Sequence, residues 1–311
     1  MLKMCQFSAK RVNHYDKADH SDVLFVASWR ALQHFISLVF TDQTGRNLDL
    51  AGIPRRIISC VPSQTELLAD LGLENQVAGI TKFCVHPAAW RKQKTIIGGT
   101  KNLNLEKIAN LSPDFILANK EENTQEQIEW LSARFPTYVS DVRNLHQAID
   151  MIHDVGRITS KTDKSREIAQ TITSLFQPAE PFERKHTACY LIWKNPWMTI
   201  NHDTFIHDML CRLGFINVFA DRTDSRYPSV TDDELRETNT DIIFLSSEPF
   251  PFKALDAEEL QRILPKSRII LLNGELLSWY GSRLCHFDWK FFDELRKQQS
   301  TDEKSIKDSK N

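Results

Sequence analysis

The chain has little of what most enzymes and membrane proteins depend on. No run approaches the ~20 apolar residues needed to cross a bilayer. Only 10 of 311 residues are glycine, few for a protein that cradles nucleotides. No G-x-x-x-x-G-K-[ST], no G-x-G-x-x-G after a strand, no G-x-S-x-G and no H-E-x-x-H occurs. The six cysteines (Cys5, Cys60, Cys84, Cys189, Cys211 and Cys285) form no C-x-x-C pair, which argues against a structural zinc site and reads as buried reduced thiols. Charge of one sign is also missing. Lys+Arg is 39 and Asp+Glu is 41, a net charge of -2, so there is no surplus of basic charge for a nucleic-acid partner. What is present is core: 41% hydrophobic and 26% charged residues, enough apolar surface to fold most of the chain.

The first forty residues make a poor export signal. Val23 to Phe40 is partly apolar, but Arg30 and His34 interrupt it and Asp16, Asp19, His20 and Asp22 precede it. Residues 1–39 therefore read as an irregular extension or an amphipathic helix, or as the product of a start placed too far upstream. On sequence alone the expected compartment is the cytoplasm.

From Arg55 the pattern alternates. Short apolar runs at 56–60, 77–80, 114–118 and 136–140 read as buried strands, separated by helical segments at 62–71, 104–111 and 124–135. Ser63 and Glu66 have capping-box spacing, and Gly72 stands where a helix C-cap belongs. Leu145, Ala148, Ile149, Ile152, Val155 and Ile158 recur at helical spacing. After a polar break at Thr159–Asp163 the helix resumes to Phe176. A second series follows, with strands at 187–193, 241–246 and 267–272 and helices at 204–213, 232–238, 257–264 and 288–297. Alternating strands and helices imply parallel sheets. The expected fold is thus two Rossmann-like α/β lobes joined by a long backbone helix, with a ligand cleft between them. The boundaries are 40–142 for the first lobe, 143–185 for the linking tract, 186–297 for the second lobe and 298–311 for a frayed tail.

Ligands of open α/β sheets bind outside the carboxyl ends of the strands. The loops expected there are rich in aromatics: 81–87 with Phe83, 98–103 with Thr100, 193–199 with Trp193 and Trp197, 224–229 with Tyr227, and 276–283 with Trp279, Tyr280 and Arg283. Apolar rings in loops call for a partner. Cys84 and His86 form a C-x-H pair able to meet a soft metal or a cobalt or iron macrocycle, or else a small buried thiol beside a hydrogen-bonded imidazole. With catalytic motifs missing, binding without chemistry is the better reading.

These segments resemble the class III periplasmic-binding-protein family. The resemblance lies in Pro62-Ser63-x-Thr65-Glu66-Leu67 after a strand, in Gly79-Ile80-Thr81 followed by an aromatic and His86-Pro87, and above all in Asn104-Leu105-Glu106-Lys107-Ile108 with Leu111-x-Pro113-Asp114. It covers roughly residues 40–292. It implies the substrate-binding component of an ABC-type importer, monomeric, taking cobalamin or another corrinoid, or a haem or ferric chelate, with no covalent cofactor. It places Phe83, Trp193, Trp197 and Tyr227 at the ligand, and Glu106 with Asp233 or Glu234 at a permease partner. It also implies a periplasmic location, against the cytoplasmic expectation above. A cytoplasmic relative handling a corrinoid or metal chelate is the alternative. The sequence departs from the cobalamin-binding branch, which carries a tryptophan near Thr100.

Overall fold

The computed structural model describes residues 38–177 and 186–295. The expected N-terminal extension and C-terminal tail lie outside them, apart from residues 38 and 39, and so does the end of the linking tract.

The chain enters through a hairpin, β1 (Leu38–Thr41) with β2 (Asn47–Leu50). Its turn is tied by Asp42, whose carboxylate accepts from the backbone of Thr44 and Arg46 on one oxygen and from Val139 on the other. The first lobe then follows the alternation read above: β3 (Ile57–Ser59), α1 (Pro62–Asp70), β4 (Val77–Ile80), α2 (Trp90–Gln93), β5 (Thr95–Ile96), α3 (Leu105–Asn110), β6 (Phe115–Asn119), α4 (Gln125–Ser132) and β7 (Thr137–Ser140). The strands form a five-stranded parallel sheet in the order β5-β4-β3-β6-β7. β3, β6 and β7 are buried throughout, as expected of strands covered by helices on both faces.

One local expectation is corrected. Val61, not Ser63, is the N-cap of α1, and no side chain caps it; Pro62 takes the first helical position. Ser63 is buried in the first turn, and Glu66 reaches out of the lobe rather than back to the cap. Gly72 does sit at the helix end with φ of 72°, the left-handed conformation that glycine adopts without penalty.

The linking tract is a pair of helices, α5 (Leu145–Ile158) and α6 (Thr162–Leu175), each of 14 residues. The polar break at 159–161 turns the chain, and the short connection makes the two helices neighbours. They touch at Gly156: a Cβ there would lie 2.0 Å from Ser165 Oγ. Gly156→Ala is therefore expected to lower stability by about 1–3 kcal/mol in urea unfolding, because overpacking outweighs the better helix propensity of alanine. A change below about 0.5 kcal/mol would show that the helices part freely.

The second lobe holds β8 (His186–Leu191), β9 (Trp197–Met198), α7 (Phe205–Arg212), β10 (Phe215–Asn217), β11 (Ser229–Val230), α8 (Asp232–Glu237), β12 (Ile242–Ser246), α9 (Ala254–Ile263), β13 (Arg268–Leu272) and α10 (Glu275–Ser278). Its main sheet is parallel, in the order β10-β8-β12-β13, and β9 pairs with β11 in a small antiparallel ribbon. A 3₁₀ turn (Ser282–His286) then returns to the first lobe, packing on α1 and α6. Residues 289–295 are helical.

The lobes are not separate bodies. One apolar cluster runs from Leu48 and Leu67 through Ile152 and Ile172 to Phe244 and Phe292. Each lobe adds a second cluster of its own. This shared spine fixes the two sheets behind the place where their strands end.

Candidate functional site

The loops leaving β4, β6 and β7 meet those leaving β10 and β13 along the seam between the lobes. The strands are short and, apart from β5 and β13, largely buried, so most of these loops begin from a fixed point. Gly98 and Gly99 allow a tight return after β5, in which Gly99 and Asn102 exchange backbone hydrogen bonds. Gly98 has φ of 108° and Gly99 lies against the Phe83 ring, where a Cβ would come within 3.1 Å. That ring rests on loop backbone with its other side open.

Two of the expected aromatics are exposed. Phe83 from the first lobe is 51% exposed and Trp193 from the second is 40% exposed. Lys82 Nζ stands 5.0 Å from the Phe83 ring centre, and Trp193 meets Phe250 edge-on at 5.5 Å. Exposed rings of this size, held by their backs, are surfaces for a ligand.

The other rings are placed differently. Trp197 is buried in the second lobe's own core, stacked on Phe252 at 6.2 Å with its Nε1 donating to Asp232. A turn separates it from Trp193 and sends it to the opposite side. Trp279 is buried at the seam, where His86 meets it edge-on at 5.7 Å and its Nε1 donates to Glu248 at 2.7 Å. Tyr280 is also buried there against Phe205. Its hydroxyl lies beside Ser63 and Ser140 yet makes no hydrogen bond of normal geometry among the described residues. Tyr227 is half-buried, and its hydroxyl donates across the seam to Glu121 at 2.9 Å.

The C-x-H pair diverges. Cys84 is 1% exposed and turns into the first lobe, its Sγ 3.0 Å from Thr65 Oγ1 and 3.2 Å from Thr81 Oγ1. Burial pushes its thiol up despite those hydroxyls. The expectation that Cys84 meets a ligand or metal is therefore corrected: it is a core thiol. His86 stays at the seam, 40% exposed and 3.4 Å from Glu275. Thr100 is buried beside Glu122. Among the described residues no group of three or more His, Cys, Asp or Glu side chains is disposed to hold a bare metal ion.

Charge binds the seam at both ends. At one end Arg226 of the second lobe contacts Glu121, Asp203 at 2.8 Å and Asp141 at 3.7 Å. Arg143 joins Asp141 and Asp203, and Lys120 joins Asp141. Although burial opposes ionisation, hydrogen bonds from Arg143 and Lys120 hold the Asp141 carboxyl below its ordinary range, and Arg226 does the same for Asp203. At the other end Arg283 reaches Glu66 at 2.8 Å and Glu275 at 3.6 Å. Burial raises Glu66 in spite of that partner. Burial also raises Glu122 and Glu248, and each is raised further by a carboxylate close by.

These carboxylates went unread in the sequence. Glu121 and Glu122 follow β6, and Glu248 follows β12, so position at the carboxyl end of a strand was the available signal. The three acidic docking candidates separate in the same way. Glu106 and Asp233 are exposed in the first turns of α3 and α8, one in each lobe. Glu234 is committed to the capping box of α8 and to Arg222. A groove of about 670 Å³ lies elsewhere, along Asp42, Gln147, Asp150, Asp154 and Arg157, and includes none of the candidates.

Comparison with known proteins accords with this arrangement. An uncharacterized ABC transporter substrate-binding lipoprotein of Bacillus subtilis is 26% identical over 213 residues, 65% of this chain and 67% of that protein. A vitamin B12-binding protein of Photorhabdus laumondii is 25% identical over 242 residues, 76% of this chain and 86% of that one. Among solved structures, the periplasmic heme-binding protein RhuT of Roseiflexus sp. RS-1 superposes with a TM-score of 0.65 at 17% identity, over 78% of this chain and 97% of that one. That likeness establishes the two-lobed fold. The Bacillus protein is named as a lipoprotein and RhuT as periplasmic, and neither supports the cytoplasmic expectation. Residues 57–264, two thirds of the chain, match the model of one family, described as periplasmic binding protein, and the chain belongs to that family, whose members bind and deliver a substrate rather than transform it.

Proposed function

We propose that this protein is the substrate-binding component of an ABC-type importer, holding a corrinoid or another metal chelate between its lobes, outside the cytoplasmic membrane. The observation that carries this is the pair of open rings, Phe83 and Trp193, one from each lobe, at the carboxyl ends of two parallel sheets. Flat apolar ligands are gripped by such surfaces. Relatives named for vitamin B12 and a structural neighbour named for heme support the chelate class. Titration calorimetry with cyanocobalamin, haemin and a ferric hydroxamate tests it. Saturable binding of at least one is expected, and no binding of any overturns the ligand class.

Delivery requires a partner that senses the loaded lobes. Glu106 and Asp233 stand at corresponding helix starts of the two lobes, and we assign them to the permease contact. Asp233 is bonded only to Arg236 on its own helix among the described residues, which leaves its carboxylate available. Charge reversal at both, Glu106→Arg with Asp233→Arg, is expected to abolish transport in cells while chelate affinity changes less than about twofold, since rim charges set docking and not ligand contact. Loss of chelate affinity in the same variant would place these residues at the ligand instead.

A further inference from the structure

We propose that the interlobe site selects neutral or cationic metal chelates and rejects anionic ones, a reading that rests on the chelate-binding function above and names its substrate class. The bases at the seam, Lys82 beside the Phe83 ring and His86 on Glu275 among them, leave two carboxylates without an ion pair. Arg226 is spent on Glu121, Asp141 and Asp203, Arg143 and Lys120 on the same aspartates, and Arg283 on Glu66 and Glu275. Glu122 and Glu248 are ion-paired to no base among the described residues. Lys101, which offsets Glu122 in part, donates to the Glu121 carbonyl. Glu248 receives Ser278 and Trp279 Nε1 on one oxygen.

Glu122 marks the slot itself. It is exposed, is hydrogen-bonded by Thr100 of its own lobe, and lies close enough to Glu248 of the other lobe for that carboxylate to raise it. Nearby, the Tyr280 hydroxyl is buried beside Ser63 and Ser140, within the field of Glu121 and Glu122. A ligand rimmed with amide N–H groups, or carrying an ammonium, donates to these oxygens and relieves their mutual repulsion. Propionates or catecholates would bring like charge into a partly desolvated space, where it is screened least. Discrimination then comes from repulsion as much as from attraction.

The test is a set of affinities at neutral pH and low salt for four probes: cyanocobalamin, a cationic ferric trihydroxamate bearing an amine, haemin with its propionates, and an anionic ferric tris-catecholate. The better of the first two is expected to bind at least about 30-fold tighter than either anionic probe. In the double variant Glu122→Gln, Glu248→Gln that ratio should shrink by about tenfold or more. Ratios within one preparation cancel any loss of folded protein. Anionic probes binding the natural chain as tightly as the others, or a ratio unmoved in the folded double variant, overturn the charge selection and leave chelate binding standing. Failure of all four to bind overturns both.

Discussion

The double variant Phe83→Ala, Trp193→Ala is expected to lose about a hundredfold or more in chelate affinity at a modest cost in stability. Each ring is about half covered in the free protein, at 51% and 40% exposure, so unfolding should shift by only about 1–3 kcal/mol for the pair. Against a flat ligand each ring would be covered. Aromatic anchors at the centre of a contact are worth about 1–2 kcal/mol apiece, and about 3 kcal/mol together is a factor of about a hundred. Trp197→Ala should behave in the opposite way. That ring is packed on Phe252 and bonded to Asp232, so its loss should cost about 3–5 kcal/mol of stability, and any effect on the ligand would follow from a damaged lobe. Calorimetric titration and urea unfolding of the two variants separate the roles. If the Phe83, Trp193 double variant binds normally, the ligand does not lie on these rings.

Arg226→Ala carries the second large effect. One guanidinium, 21% exposed, ties Glu121 and Asp141 of the first lobe to Asp203 of the second. Removing it leaves Glu121 without its ion pair and Asp141 and Asp203 held by Arg143 and Lys120 alone. Such a loss costs about 3–5 kcal/mol for a fully buried pair, and about 2–3 kcal/mol is expected here after allowing for solvent screening. The apolar spine should keep the chain folded, so the loss falls on the closed seam. The radius of gyration in solution should rise, and chelate should dissociate about tenfold faster or more. An unchanged radius and off-rate would mean that the spine alone sets the spacing.

The pH dependence of this latch follows from its signs. Asp141 and Asp203 titrate below their ordinary value of 3.8. Their contribution is complete above that value and disappears as pH falls through the depressed values. Glu66, Glu122 and Glu248 titrate above 4.5. When ionised, Glu122 and Glu248 repel each other across the seam, so closure gains as pH falls through their raised values toward 4.5. The closed form should thus be favoured by mild acid and lost only below about pH 4.

The lobes were legible in the sequence because their strands are buried on both faces and read as unbroken apolar runs, with helix ends punctuated as at Gly72. The hairpin of β1 and β2 and the ribbon of β9 and β11 were not, since strands of two to four residues have no usable period. Ser63 and Glu66 show why a local motif misled. Their spacing fits a capping box, but Pro62 starts the helix and Glu66 is drawn to Arg283, 217 residues away. The seam was hidden for the same reason. Glu121, Glu248, Arg226 and Arg283 gain meaning only when two distant strand ends meet. The open rings were found because an aromatic in a loop is conspicuous alone. Whether it faces outward, as Trp193 does, or inward, as Trp197 does, depends on a turn whose direction composition does not reveal.

A structure of the chelate-bound protein tests the central claim most directly. The chelate is predicted between Phe83, Thr100 and Glu122 of one lobe and Trp193, Glu248 and the 279–283 loop of the other. A chelate seated elsewhere, such as in the groove along Asp150 and Arg157, with the seam still shut, would contradict it.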